Sequence, residues 1–76
     1  MFKVNGKELS LSQAIVYIRV VQMRMSTKEF TKLTKISCKT LSDIENGRIE
    51  KPHAETLNKI AKACHVPIED LLDYIV

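Results

Sequence analysis

Residues 25–47, MSTKEFTKLTKISCKTLSDIENG, decide the fold because they place two short helix patterns one tight connection apart. Ser26 followed three residues later by Glu29 is the sequence of a capping box. In that motif the hydroxyl and the carboxylate each accept a hydrogen bond from a backbone N–H at the helix start. A first helix should therefore begin at Thr27.

A second helix is predicted over residues 38–46. Ser37 can cap its start, and Gly47 can adopt the left-handed conformation that ends many helices. Winding the segment at about 100° per residue separates an apolar face from a polar one. The inner face carries Thr40, Leu41 and Ile44, and the outer face carries Cys38, Lys39, Ser42, Asp43 and Asn46.

The outer face of this second helix is short, polar and rich in hydrogen-bonding groups. Such a face suits the reading of base edges in a DNA major groove, which is wide enough to admit a helix. Any surface helix of a small protein also has a polar face. The tandem arrangement of two capped helices is therefore the stronger indication.

The segment resembles the helix-turn-helix of the lambda-repressor-like, Cro/Xre-type family. The family's run of polar N-cap, apolar residue, turn, serine, Thr-apolar pair, apolar-Glu pair and glycine corresponds to Ser26, Phe30, Lys35-Ile36, Ser37, Thr40-Leu41, Ile44-Glu45 and Gly47. The resemblance covers roughly residues 12–73. It implies an all-α, five-helix bundle, with a short hairpin or arm at residues 1–9 and the DNA-binding domain at residues 10–76.

Several positions depart from the family pattern, and three of them bear on the helix connections. Lys35 and Arg24 stand where the family often has glycine, and a lysine held at positive φ costs on the order of 1 kcal/mol. The family also pairs an arginine of the first helix with the position of Glu45. The aligned residue here is Val20, and Arg19 lies one step away. Either the register of the first helix is off by one or Glu45 has another partner.

The resemblance implies a sequence-specific DNA-binding transcriptional regulator, a repressor that binds a palindromic operator as a homodimer. Helix 38–46 would enter the major groove of double-stranded DNA. The residues expected to contact bases are Cys38, Lys39, Ser42 and Asp43, and those expected to contact phosphates are Ser26, Thr27, Asn46, Arg48 and Lys51.

An alternative function is a protein-interaction module on the same fold, such as an antitoxin or a regulator bound by an anti-repressor. The acidic Asp43 on the outer face and the unusual first helix both keep it open. That helix should start after Ser10, with Gln13 completing a capping box, and run to about Arg24. It is apolar nearly all round, which indicates burial beneath the N-terminal segment or a partner surface. Its many β-branched residues also allow a strand.

The first nine residues alternate apolar and polar side chains around Asn5-Gly6, a strong signal for a short hairpin. A ribbon packed on the bundle is one interpretation, and a frayed terminus is the other. The hairpin could also add to a partner's edge, or bring Lys3 and Lys7 to phosphates.

The last two helices are predicted from about Ala54 to Cys64 and from Pro67 onward. His65 stands where the family ends a helix with glycine, so it is expected to form a C-terminal cap. Tyr74 and Val76 are expected to leave apolar surface. In the family the C-terminal helix is a common dimer contact, and local burial of a chain end is the competing interpretation. The first helix is a second candidate for the dimer surface.

Composition fits a small binding module. The chain has 76 residues and a net charge of +3; residues 1–53 are basic and residues 54–76 are acidic. Residues 1–53 include the proposed DNA side. No apolar run is long enough for a membrane span and Met-Phe-Lys does not resemble a signal peptide, so a cytoplasmic protein is expected.

The two cysteines predict neither a metal site nor a disulfide framework. Cys38 and Cys64 lie far apart and form no C-x-x-C motif. Cys64 falls on an apolar face, whereas Cys38 falls on the outer face as a neutral groove contact or an oxidisable thiol. No nucleophile and base stand at catalytic spacing. The sequence therefore predicts no enzyme, no cofactor and no small-molecule substrate.

Overall fold

The structure is a computed structural model that describes residues 2–74. Its elements are β1 (Lys3–Val4), β2 (Lys7–Glu8), α1 (Leu11–Tyr17) with a π-helical continuation (Ile18–Gln22), α2 (Thr27–Thr34), α3 (Cys38–Glu45), α4 (Ala54–Cys64) and α5 (Glu69–Leu72). The predicted all-α, five-helix bundle with a short N-terminal hairpin is confirmed. The expectation for Val76 lies outside the described residues.

The N-terminal hairpin forms because Asn5 and Gly6 both adopt positive φ, 51° and 78°. This backbone matches the type I′ turn, whose twist suits two antiparallel strands. The Leu9 N–H closes the ribbon by donating to the Phe2 carbonyl at 3.0 Å. The Phe2 ring is buried and lies 6.0 Å from the ring of Tyr17, centroid to centroid. The frayed-terminus interpretation is therefore wrong, since Phe2 belongs to the core and Val4 and Leu9 pack against it.

Helix α1 begins as predicted, with Ser10 and Gln13 forming both hydrogen bonds of a capping box. The segment is helical, so the strand alternative is wrong. The helix predicted to run to about Arg24 ends at Gln22, and its last turn, Ile18–Gln22, is π-helical. The Met23 N–H donates to the Ile18 carbonyl at 2.9 Å, five residues back. Arg24 then turns the chain with φ 52°.

The core is built where α2, α3 and α4 pack together beneath α1. Its largest fully buried side chains are Ile15, Ile18, Phe30, Leu41, Ile44, Leu57, Ile60 and Leu71. Thr34 is buried too, and its hydroxyl donates to the Phe30 carbonyl at 2.8 Å. These apolar side chains fix the orientation of α3, since that helix has Leu41 and Ile44 on its inner side.

The C-terminal part of the chain corrects two expectations. Helix α5 begins at Glu69, because Pro67 lies in the preceding turn, where its carbonyl accepts from the Asp70 N–H. Tyr74 does not add apolar surface, because its ring is buried. Its hydroxyl donates to the Leu9 carbonyl at 2.7 Å and accepts from the Phe2 N–H at 3.3 Å. Tyr74 therefore fastens the hairpin to the bundle.

Candidate nucleic-acid interface

The start of α2 is held by the predicted capping box. The Ser26 Oγ accepts from the Glu29 N–H at 3.2 Å, and Glu29 Oε1 accepts from the Ser26 N–H at 3.0 Å. The hydrogen bonds from the Ser26 backbone and side chain lower the pKa of Glu29. Ser26 and Thr27 are both exposed at this helix start. Both positions could therefore meet a phosphate.

The turn between α2 and α3 depends on a left-handed residue. Lys35 has φ 60° and ψ 33°, and its N–H donates to the Thr31 carbonyl at 2.9 Å. The next residue, Ile36, is buried and anchors the turn. Ser37 then caps α3 by accepting from the Thr40 N–H at 3.1 Å. The positive φ expected at Lys35 is confirmed.

Helix α3 presents the face that its periodicity predicts. Leu41 and Ile44 are fully buried, and Thr40 is half-buried on the same side. The outward side chains Cys38, Lys39, Ser42 and Asn46 are exposed. Asp43 differs because its side chain is only 16% exposed. Charged partners on both sides enclose it.

Lys39, Asp43 and Arg48 form a three-residue charge cluster, called the Asp43 cluster below. Lys39 Nζ lies 2.9 Å from Asp43 Oδ2, and Arg48 Nη1 lies 3.2 Å from Asp43 Oδ1. The hydrogen bond from Lys39, joined by that from Arg48, holds the pKa of Asp43 below its usual value against the opposing effect of burial. Each oxygen of the carboxylate therefore has a cationic donor.

The backbone after α3 brings Arg48 to this cluster. Gly47 has φ 79°, and the Arg48 N–H donates to the Asp43 carbonyl at 2.8 Å while the Gly47 N–H donates to the Ile44 carbonyl at 3.2 Å. This pair of bonds is the Schellman motif, which ends a helix on a glycine. The turn that stops α3 thus also places a second cation against Asp43.

Two more contacts tie down outward side chains of α3. Asn46 Nδ2 donates to Ser42 Oγ at 3.1 Å, and the Cys38 thiol lies 3.8 Å from Thr31 Oγ1 on α2. Lys51 is exposed in the loop that precedes α4. Of the predicted site residues, the structure therefore joins Ser42 to Asn46 and Lys39 to Asp43 and Arg48. Ser26 and Thr27 lie apart from these pairs, at the start of α2.

Sequence reasoning missed the Asp43 cluster, although half of it had a signal. Lys39 and Asp43 stand four residues apart on one helix, a spacing at which opposite charges meet. Arg48 gave no such signal, because it lies beyond the end of the helix. Its position depends on the Gly47 turn.

A second ion pair fastens α3 from behind. Arg19 Nε donates to Glu45 Oε2 at 2.8 Å and Arg19 Nη2 donates to Glu45 Oε1 at 3.1 Å. The hydrogen bond that Arg19 donates to Glu45 raises the pKa of Arg19. The alignment with the family placed Val20 opposite Glu45, whereas the partner in the structure is Arg19, one residue earlier. A π-helical turn closes its hydrogen bonds over one more residue than an α-helical turn, which displaces the register by one.

Neither a metal-binding cluster nor a membrane-spanning helix is found among residues 2–74. No three His, Cys, Asp or Glu side chains gather there to hold a metal ion. None of the helices described is both long and apolar enough to cross a membrane.

Two capped helices joined by a left-handed turn, the second with an exposed polar face, define a helix-turn-helix protein. A family model for the Cro/C1-type HTH DNA-binding domain matches residues 19–76, so the chain belongs to that family. The protein is accordingly a DNA-binding transcription regulator. Comparison with curated proteins and with solved structures gives no match.

Proposed function

We propose that the protein is a sequence-specific repressor that binds a palindromic operator as a homodimer, with α3 in the major groove. The observation that carries this proposal is the exposed ridge of α3. Its outward side chains are polar, while Leu41 and Ile44 fix the helix from behind. A helix held in this way can be presented to base edges as a rigid unit.

Lys39 is the side chain best suited to read a base. It is 84% exposed, and an ammonium can donate to the acceptors of a guanine edge. Asp43 can accept from cytosine N4, and Ser42 can pair with either kind of base. Cys38 would make a neutral contact at the start of the helix. These four residues would supply the sequence preference.

Phosphate contacts would come from both sides of α3. Ser26 and Thr27 at the start of α2 would hold one strand, and Asn46, Arg48 and Lys51 at the end of α3 would hold the other. Contacts of this kind set register and orientation rather than sequence preference. Further exposed cations on α2 and its turn add to the attraction, namely Lys28, Lys32 and Lys35.

The two-fold symmetry of a homodimer would match that of a palindromic operator, whose half-sites would lie one DNA turn apart, roughly 34 Å. Apolar side chains remain exposed on two elements that could meet a second copy. They are Val20 and Val21 in the π-helical turn and Leu72 in α5. The burial of Tyr74 leaves less apolar surface at α5 than the sequence suggested. The π-helical turn therefore becomes the stronger candidate for the dimer surface.

We further propose that residues 10–76 act as one DNA-binding domain carrying residues 1–9 as a packed hairpin, and that the protein works in the cytoplasm.

The test is to select bound oligonucleotides from a random pool and compare two variants on the selected operator. Lys39→Ala should lower operator affinity and leave affinity for random duplex nearly unchanged. Arg48→Ala should weaken both and reduce the magnitude of the salt slope. Lys62→Ala, which removes an exposed cation from α4, is the charge-matched control. Equal specificity ratios for Lys39→Ala and Arg48→Ala would contradict these roles.

A protein-interaction module is the second candidate, favoured by one observation. An open groove with apolar walls runs beside α1 and is lined by Leu9, Ser12, Gln13, Val16, Tyr17, Val20, Val21 and Glu45. Salt distinguishes the two functions. Binding to duplex DNA that collapses as salt rises supports the repressor, whereas salt-insensitive co-purification with one protein supports the module.

A further inference from the structure

The two cations best placed to meet DNA from α3 are both engaged by one carboxylate. Lys39 and Arg48 are 84% and 67% exposed, so solvent and ligands can reach them. Both nevertheless bond to Asp43, at 2.9 Å and 3.2 Å. The Asp43 cluster therefore presents one net positive charge to an approaching duplex instead of two.

The arrangement is built by the backbone as well as by charge. Lys39 and Asp43 share one face of α3 at four-residue spacing. Arg48 reaches the same carboxylate because its N–H bonds to the Asp43 carbonyl in the Gly47 turn. The backbone bonds of this capped helix end hold Arg48 close to Asp43. Only the mobile ends of Lys39 and Arg48 need to change partner.

We propose that Asp43 is a specificity-determining residue that occupies Lys39 and Arg48 in the free protein and gives them up fully only on a matching DNA sequence. This inference rests on the proposed function, because it requires α3 to enter the major groove. Asp43 thereby weakens binding to DNA of the wrong sequence.

The physical argument concerns what happens to the carboxylate on DNA. When phosphates or base edges take Lys39 and Arg48, Asp43 loses its two donors and faces a polyanion. An amino group in reach, such as cytosine N4 or adenine N6, replaces one donor, whereas the acceptor edges of guanine and thymine do not. Loss of a partner from a charge removed from water is costly. Non-matching DNA therefore carries a cost that matching DNA avoids.

The experiment compares wild type with Asp43→Asn on the selected operator and on a duplex of mixed sequence, by fluorescence anisotropy over a range of KCl. Freeing one cation for a phosphate should steepen the log–log salt slope by about 0.9, or about eightfold in affinity for each tenfold fall in salt. Affinity for the mixed duplex should rise more than affinity for the operator, so the specificity ratio should fall.

Two controls separate this effect from a simple change in net charge. Glu69→Gln makes the same charge change on α5 and should leave the specificity ratio unaltered. In a background with Lys39→Met and Arg48→Met, Asp43→Asn should steepen the salt slope no more than Glu69→Gln does, because the cations that it frees are gone. Asp43→Ser, which also removes the carboxylate, should repeat the result if Asp43→Asn unfolds.

An unchanged specificity ratio for Asp43→Asn, or a steeper salt slope that persists in the Lys39→Met, Arg48→Met background, would overturn the inference alone. Wild-type protein that binds no duplex at low salt would overturn the proposed function and this inference with it. Operator selection that returns no preference for cytosine or adenine near Lys39 and Asp43 would also count against it.

Discussion

Arg19 and Glu45 join the end of the first helix to the end of α3 through two parallel hydrogen bonds, at 2.8 Å and 3.1 Å. The third nitrogen of the guanidinium, Nη1, donates to the Met25 carbonyl at 3.1 Å, in the segment that leads into α2. Both side chains are shielded, at 16% and 13% exposure. Arg19 therefore sets the position of both helices of the motif relative to α1.

Removal of this pair should destabilise the fold. Arg19→Gln leaves the Glu45 carboxylate shielded and without its cation. We expect the free energy of unfolding to fall by about 2–3 kcal/mol, somewhat less than for a fully buried pair. Arg19→Lys should recover only part of this stability, since an ammonium cannot make two parallel hydrogen bonds to the carboxylate. Urea unfolding measures both. Lys32→Gln on α2 is the control, and an equal loss in that variant would contradict the prediction.

Glycine should have opposite effects on stability at two nearby lysines, because Lys35 lies in the left-handed turn and Lys32 lies within α2. Lys35→Gly relieves the strain of a side chain at φ 60° and should stabilise the protein by about 0.5 kcal/mol, net of the greater freedom of the unfolded chain. Lys32→Gly changes the same residue type within α2 and should cost about 1 kcal/mol. Thermal unfolding distinguishes them, and destabilisation by both would refute the account of the turn.

Tyr74→Phe should cost about 1–2 kcal/mol at neutral pH, because the Leu9 carbonyl loses its donor inside the protein. Burial raises the pKa of Tyr74, so folding favours the neutral phenol. The stability that this provides is complete below the unfolded pKa, about 10, and is lost as pH rises through the folded value.

Stability measured from neutral to alkaline pH should therefore fall more steeply in wild type than in Tyr74→Phe. Tyr17→Phe, which removes the hydroxyl from a half-buried ring, should keep the steep fall. Parallel curves for wild type and Tyr74→Phe would show that this hydroxyl is not buried in solution.

The two cysteines should differ in reactivity, and DNA should change only one of them. Cys38 is exposed on α3, whereas Cys64 is buried and its burial raises the pKa of the thiol. A thiol-disulfide reagent should label Cys38 rapidly and Cys64 slowly, since the thiolate is the reactive form. Selected operator should protect Cys38. Labelling of Cys38 at the same rate in the complex would place α3 outside the groove.

Local sequence predicted the parts of the fold that local hydrogen bonds decide. The caps at Ser10, Ser26 and Ser37 and the turn at Asn5-Gly6 each involve atoms a few residues apart, and all four were found. The exposed face of α3 followed from helical periodicity in the same way.

Contacts between distant segments could not be found in this way. The π-helical turn lies in the β-branched run IRVVQ, where no residue marks it. Tyr74 is buried because of Leu9 and Phe2, more than sixty residues away in the chain. The half-burial of Asp43 depends partly on Arg48, which only the turn at Gly47 brings near.

The bond between the Phe2 N–H and the Tyr74 hydroxyl has a practical consequence for engineering. The first and the last residues described touch each other on the bundle, as chain termini of small domains often do. A short linker from Tyr74 to Phe2 could close the chain, and new termini could then be opened in the exposed loop between α3 and α4. Such a circular permutant should retain the bundle.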